Sequence, residues 1–296
     1  MSAVSGQPGR LSLMEISPRR RRTDRVMRGI LLAATIVALI PLVLVMYYLL
    51  KEGLGSINGT FFTSDPTGSF FGNIGGVRSA ILGSLEIVLL ATLISVPIGI
   101  GVALYLTEYG RDSRFANLIR YLVDVMTGVP SIVFGLFIYI TLVLSHVGGN
   151  FTAWKASVAL ALLMLPIVTR SAEVVLLLVP SSLREAALAL GAPRWRVVFR
   201  VVLPTAIPGL TTGSLLAVAR GMGETAPLLF TTAGAASLTF SLGQQMNALP
   251  LQIYNDILSP RAVVVSQAWA AGLTLVVLVL ILNLFARLIS RRSRMA

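Results

Sequence analysis

The 296 residues contain no cysteine and a single histidine, His146. The first absence excludes disulfides, iron–sulfur clusters and thiolate-held metals, and the second excludes a metal or catalytic site built from several imidazoles. Charge is scarce as well: charged residues make up 12% of the chain, with 12 acidic side chains against 24 basic ones. No Gly-x-x-x-x-Gly-Lys-Ser/Thr loop is present, so the chain is not itself a P-loop ATPase. The arginines flank the apolar runs, so the basic excess does not call for a nucleic-acid partner. What is abundant is apolar: 55% hydrophobic residues and a mean hydropathy of +0.84. This is a chain for lipid.

A helical span of a bilayer takes about 20 apolar residues. Six runs meet that length, at roughly 27–50, 78–106, 121–145, 154–179, 206–231 and 263–288. They are continuously apolar and do not alternate, which favours helices over a barrel. The expectation is an all-α membrane protein with six transmembrane helices. His146 falls on a loop at the outer end of the third span and reads as a solvated loop residue.

The basic residues are placed asymmetrically. Eighteen of the 24 fall on one side of this topology: Arg10, the run Arg19 to Arg22, Arg25, Arg28, Arg111, Arg114, Arg120, Arg184, Arg194, Arg196, Arg200, Arg287, Arg291, Arg292 and Arg294. Lys51, Arg78, Lys155 and Arg261 fall on the other. The positive-inside rule then makes both termini cytoplasmic, and the net charge of +12 is a topology signal. The arginine run before the first span precedes an apolar stretch too long for a signal core and without a small-residue cleavage site, so an uncleaved anchor is expected.

One charged segment interrupts this pattern between the fourth and fifth spans. Ser182 followed by Glu185 reads as a capping box that starts a short helix at about Ser182. Ala186 and Ala187 keep one face of that helix small. Gly191 is a natural stop, and Pro193 suits the first turn of a second helix, amphipathic and basic, with Arg194, Arg196 and Arg200 beside Trp195, Val198 and Phe199. Taken alone, the segment could be an interfacial helix among lipid headgroups. Its spacing is more specific: Glu185-Ala186-Ala187, three residues, Gly191, nine residues, Val201, one residue, Leu203-Pro204. This resembles the EAA loop of bacterial ABC importer permeases, with Val201 where Ile is usual. The resemblance implies that residues 182–204 dock a separate ATPase through Glu185, Ala186, Ala187, Gly191 and Arg194.

Four ionisable residues sit inside expected spans: Arg170 and Glu173 in the fourth, Arg220 and Glu224 in the fifth. Each costs roughly 2.5–3.5 kcal/mol at a helix centre, so they need partners or a polar cavity. Their i,i+3 and i,i+4 spacings place each Arg and Glu on one helix face. Two guanidinium forks along one route suit a tetrahedral oxyanion. The alternative is that the pairs lock helices together with no substrate contact. In the third span, Gly128 and Pro130 should kink or interrupt the helix, and Ser131 could add a hydroxyl to the route. Asp124 and Glu86 read as helix caps or interhelix hydrogen-bond partners.

The segment Ala219-Arg220-Gly221-Met222-Gly223-Glu224-Thr225-Ala226-Pro227-Leu228-Leu229-Phe230-Thr231 follows the pattern Ala-Arg-x-x-Gly-Glu-Thr-Ala-Pro-Leu-Leu-Phe-Thr. Together with residues 127–137 it resembles the phosphate importer permeases of PstA type, more than the sister C-type subunit. The resemblance implies a type I ABC importer permease fold (MetI-like) and a multi-pass protein of the cell (inner) membrane. It implies that Arg220, Glu224, Arg170, Glu173, Ser131 and Thr225 line a phosphate pathway, with no cofactor. The implied partners are a homologous C-type permease subunit, two copies of a cytoplasmic ATP-binding subunit, an extracytoplasmic phosphate-binding protein and membrane lipid, without nucleic acid. The expected organisation is a basic tail at 1–26, a first transmembrane helix at 27–50, an outer loop at 51–77, a type 1 transmembrane domain at 78–289 and a basic tail at 290–296. Within the outer loop before the sixth span, residues 242–259 read either as an ordinary loop or as a short surface helix. Other classes stay open at this point: a permease for sulfate or molybdate, an intramembrane enzyme acting on lipid phosphate, or a non-conducting scaffold for an ATPase.

Overall fold

A computed structural model of the chain describes residues 18–67, 75–110 and 113–292. Arg10, Arg111 and Arg294 lie outside them, as do 1–17 of the expected basic tail, 68–74 of the expected outer loop and 293–296. The described residues are helical and form no strand. They divide into two units, one ending at Tyr48 and one beginning at Leu49.

The described residues of the first unit belong to α1 (Pro18–Gly53), whose last residues belong to the second. Its arginines come first and an apolar stretch follows, apolar all round and exposed throughout, as a lipid-solvated helix is.

The second unit holds eleven helices among the described residues. A short α2 (Gly59–Thr63) is capped by Asn58, whose side chain accepts from Phe61 N at 2.8 Å. Asp65 then takes the guanidinium fork of Arg78, with Nε–Oδ1 3.1 Å and Nη2–Oδ2 2.8 Å, at the start of α3 (Arg78–Leu104). The Arg78 fork holds the Asp65 carboxyl below the usual carboxylate range. A single π turn, Tyr105–Tyr109, closes α3. Next come α4 (Arg114–Gly128), α5 (Ser131–Ile138) with its own π turn (Tyr139–Val143), and α6 (Ala153–Leu177). Then follow α7 (Ser181–Ala189), α8 (Arg194–Val197) with a π turn (Val198–Val202), α9 (Leu203–Met222) and α10 (Ala226–Thr231). The chain ends in α11 (Leu249–Ile257) and α12 (Ala262–Arg292).

The bundle is built around α6, which packs against α3, α9, α10, α5 and α4. Its buried side is rich in small residues, including Ala156, Ala159, Ala161 and Ala172, so neighbouring backbones come close. Where α9 crosses it, glycine is required: a Cβ on Gly213 would lie 2.5 Å from the Ser171 Cβ. The approaches of Gly209 to Val175, Gly213 to Ser171 and Gly221 to Met164 also set the register, which is antiparallel. Around this seam lies the main core, with Ile87, Leu160, Met164, Val168, Met222 and Leu228.

Among the described residues, five helices are long and apolar enough to cross a membrane. The expected third span, 121–145, is not one helix but the pair α4 and α5, bent by 102°. Proline at 130 has no N–H and forces the preceding residue out of helical geometry, so Val129 is extended at ψ 129°. The expected fifth span, 206–231, is also corrected: helix runs from Arg194 through Met222, breaks at 223–225 and resumes as α10. Residues 242–259 do contain a helix, α11, packed on α12 and α3. Its inner side carries a buried polar chain: Asn247 donates to Gln252, and Gln252 Nε2 donates to both oxygens of Asp256 at 2.8 Å. Burial pushes the Asp256 carboxyl up to about 6. His146 is exposed on its loop.

Candidate functional site

Two helix breaks meet inside the bundle. At the first, α4 stops at Gly128 and α5 restarts at Ser131; around Gly128 there is open space, with no atom within 4 Å of where a Cβ would lie. At the second, Gly223 N and Glu224 N donate back to the carbonyls of Arg220 and Gly221, and Pro227 sits in the first turn of α10, where no N–H is needed. A Cβ on Gly135 would lie 2.7 Å from the Pro227 Cα, and the rings of Tyr139 and Phe230 are 6.1 Å apart. Successive contacts in the same order mean that α5 and α10 run parallel, from breaks placed side by side. Met126 and Val129 pack on the same core as Met222 and Leu228.

Arg220 and Glu224 sit at the second break. Arg220 Nε lies 3.4 Å from Glu224 Oε1, and their side chains are 57% and 16% exposed. Because α9 ends at Met222, the pair spans a helix C-terminus and does not share one helix face, which corrects the i,i+4 expectation. Arg220 lies in the last turn of α9, where the helix dipole favours a cation. Its neighbour Gly221 is level with Met164, near the middle of α6. Ser131 and Thr225, each half-buried, open α5 and flank the start of α10 at these same breaks.

Arg170 is arranged differently. Its Nε donates to Asp124 Oδ1 at 2.9 Å, its Nη2 pairs with the same oxygen, and its Nη1 donates to Glu173 Oε2 at 2.8 Å. Arg120 Nε holds the other oxygen of Glu173 at 2.8 Å, and Arg120 Nη2 donates to the Leu106 carbonyl at 2.8 Å. Two arginines and two carboxylates close a neutral network between α4 and α6. Arg170 is therefore a tie between helices in this structure, and Asp124 is its interhelix partner. It also lines a cavity of about 1050 Å³ between α6, α9 and α12, with Ser171, Thr212, Asn283 and Arg287. The register places Arg170 and Arg220 about six residues apart along the α6–α9 seam, or roughly 9 Å. They are not brought together.

The charged loop between α6 and α9 is a helical hairpin. Its first helix, α7, starts at Ser181 after Pro180 (φ −57°, ψ 136°) with no side-chain cap, so the expected Ser182–Glu185 capping box does not form. The proline sets the entry one residue early and moves Ser182 into the first turn. Gly191 ends the helix at φ +79°, with Gly191 N donating to Leu188 O and Ala192 N to Ala187 O. Pro193 lies just before α8, not within it, and α8 continues through its π turn into α9. Glu185, Ala186, Gly191 and Arg194 are exposed and Ala187 is half-buried. Beside them Leu190, Trp195 and Phe199 are 90%, 54% and 61% exposed, and Arg196 stacks on Trp195 at 5.3 Å.

Three residues of this region escape sequence reasoning. Arg184 points inward from α7 to Glu108, 76 positions earlier, and Arg120 joins the Glu173 network from α4. Separations of this size leave no spacing pattern; a basic residue beside a docking motif was the only available signal.

Residues 95–295 match the model of the family described as binding-protein-dependent transport system inner membrane component. The chain is 40% identical over 276 residues to a phosphate transport system permease protein PstA of Haemophilus influenzae, covering 93% of this chain and 96% of that one. A PstA protein of Mycobacterium leprae is 40% identical over 276 residues, covering 92% and 90%. Among solved structures, a bacterial alginate ABC transporter in complex with a pentasaccharide-bound periplasmic protein has a chain that superposes with a TM-score of 0.66. That match has 19% identity and covers 93% of this chain and 96% of that chain. The MetNI methionine ABC transporter in an inward-facing form gives a TM-score of 0.58 at 20% identity, over 74% and 94%. At these identities the likeness is one of fold.

Proposed function

The chain belongs to the family of binding-protein-dependent transport system inner membrane components, and on that footing we propose that it is a membrane-spanning permease of an ATP-driven importer for inorganic phosphate. One observation carries the reading: a guanidinium more than half exposed, at a helix break halfway along the central helix, tempered by a single carboxylate at 3.4 Å. In a low-dielectric surrounding such a group binds a small oxyanion strongly, and the Glu224 charge keeps it from trapping one. The free fork of Arg220, with Ser131 and Thr225 at the adjoining helix starts, offers donors to tetrahedral oxygens. Arg170 and Glu173 border the same route while holding α4 on α6.

The exposed loop face of Glu185, Ala186 and Arg194, flanked by Leu190, Trp195 and Phe199, suits docking of a separate ATPase. Such a patch of aromatic and basic residues has the composition of an interface centre. The full assembly pairs this chain with a homologous permease, two ATPase copies and an extracytoplasmic phosphate-binding protein. The charge asymmetry places both termini and the loop in the cytoplasm. Vesicles containing that assembly, with ATP supplied on the loop side, test the reading. Phosphate drives uptake and stimulates hydrolysis, and sulfate at equal concentration does neither. Equal stimulation by sulfate would move the proposal to another oxyanion.

A further inference from the structure

Polar contacts run end to end from the loop to the α4–α5 break. Arg184 donates from Nε and Nη2 to Glu108 Oε1 at 3.1 and 2.8 Å. The same guanidinium donates to the carbonyls of Leu176 and Val179, at 2.8 and 2.6 Å, where α6 ends. Glu108 belongs to the π turn that closes α3, and Leu106 of that turn accepts from Arg120 of α4. Arg120 holds Glu173, Arg170 holds Glu173 and Asp124, and Asp124 lies one helical turn before the end of α4 at Gly128.

The Arg184 and Glu108 side chains are 15% and 11% exposed, so water competes little for their bonds. One planar fork serves a carboxylate and two helix-end carbonyls at once, which a lysine ammonium on a flexible stem does not reproduce. None of the residues of α7 is fully buried, and its Arg184 fork reaches the turn that closes α3. Along the chain, the loop joins α6 and α9 directly, whereas it reaches α4 only through α6 and α5. The fork supplies α4 with a lateral connection.

We propose that Glu108 and Arg184 are positioning residues that carry movement of the coupling loop into the α3 turn and α4, and so to the helix break beside Arg220. This rests on the reading of the loop as an ATPase dock. Removing the Glu108 charge then uncouples hydrolysis from transport and leaves docking intact, because Glu108 lies behind the loop and off its exposed face.

The test uses the assembled transporter in vesicles. For Glu108→Gln, ATPase subunits co-purify in the same ratio, hydrolysis stays within about twofold, and phosphate moved per ATP falls about tenfold. Unchanged phosphate per ATP in Glu108→Gln, in preparations where the unsubstituted transporter works, overturns the proposal. If the unsubstituted transporter itself shows no phosphate-driven uptake, the functional reading fails instead. A second measurement stands apart from the stability of that variant. The absence of native cysteine allows spin labels at Ser182 and Leu118, both exposed. Their separation stays constant between nucleotide-free and ATP-bound states if loop and α4 move as one. A change beyond the ~2 Å of an ordinary helix shift overturns the proposal as well.

Discussion

Arg170 and Arg220 share a residue type and flank the same α6–α9 seam, but their surroundings differ. The guanidinium of Arg170 is consumed by Asp124 and Glu173, whereas that of Arg220 has one carboxylate at 3.4 Å and open surface. Charge neutrality makes the first a fastener, and incomplete neutralisation is what supports the proposed anion contact at the second. Asp256 is a third case: a buried carboxylate whose hydrogen-bond donor is the neutral Gln252 amide. Because its folded value is raised to about 6, the folded chain binds the extra proton, and its contribution weakens stability as pH rises from about 4 through about 6. Asp256→Asn therefore raises the thermal midpoint of the purified transporter at pH 7.5, by up to about 3 kcal/mol of stability, and has no effect at pH 4. Melting curves at the two pH values check it. Asp65 has the opposite sign: its contribution is present at neutral pH and is lost as pH falls below the ordinary carboxylate value.

Among the elements, the long helices α1, α3, α6 and α12 were legible because each is predominantly apolar over the length of a bilayer span. The break at Pro130 was legible because proline cannot continue a helix, although its 102° bend exceeds what a kink implies. The break at 223–225 was hidden: its flanks stay apolar, and two glycines around a buried methionine do not distinguish a packed crossing from a stop. The expected capping box failed because Pro180 fixed the helix start by backbone geometry before side chains could compete. In the loop between α6 and α9, the helix stop at Gly191 was readable, while the Arg184–Glu108 fork was not. The α6–α9 crossing supplies the test at this scale. Gly213→Leu forces a side chain into Ser171, where a Cβ alone would sit at 2.5 Å, and costs about 1–3 kcal/mol or more. Gly101→Ala, in open space on α3, leaves assembly unchanged. Yield of the assembled complex and its melting midpoint separate the two.

At the scale of the whole molecule, one helix organises everything that matters for transport. The first half of α6 packs near α5 and α10, which start from the two breaks; its middle is level with Gly221, beside Arg220; its far end is held by Arg184 of the loop. The central claim is that Arg220 binds phosphate in passage. The direct measurement is ATP-driven phosphate uptake into vesicles by the assembled transporter carrying Arg220→Gln. Subunit ratio and melting midpoint are measured on the same preparation. The account predicts an intact assembly, a midpoint close to that of the unsubstituted complex, and uptake reduced about a hundredfold, in line with losing a charge-assisted contact to the passing anion. Normal uptake by an intact Arg220→Gln complex would contradict it.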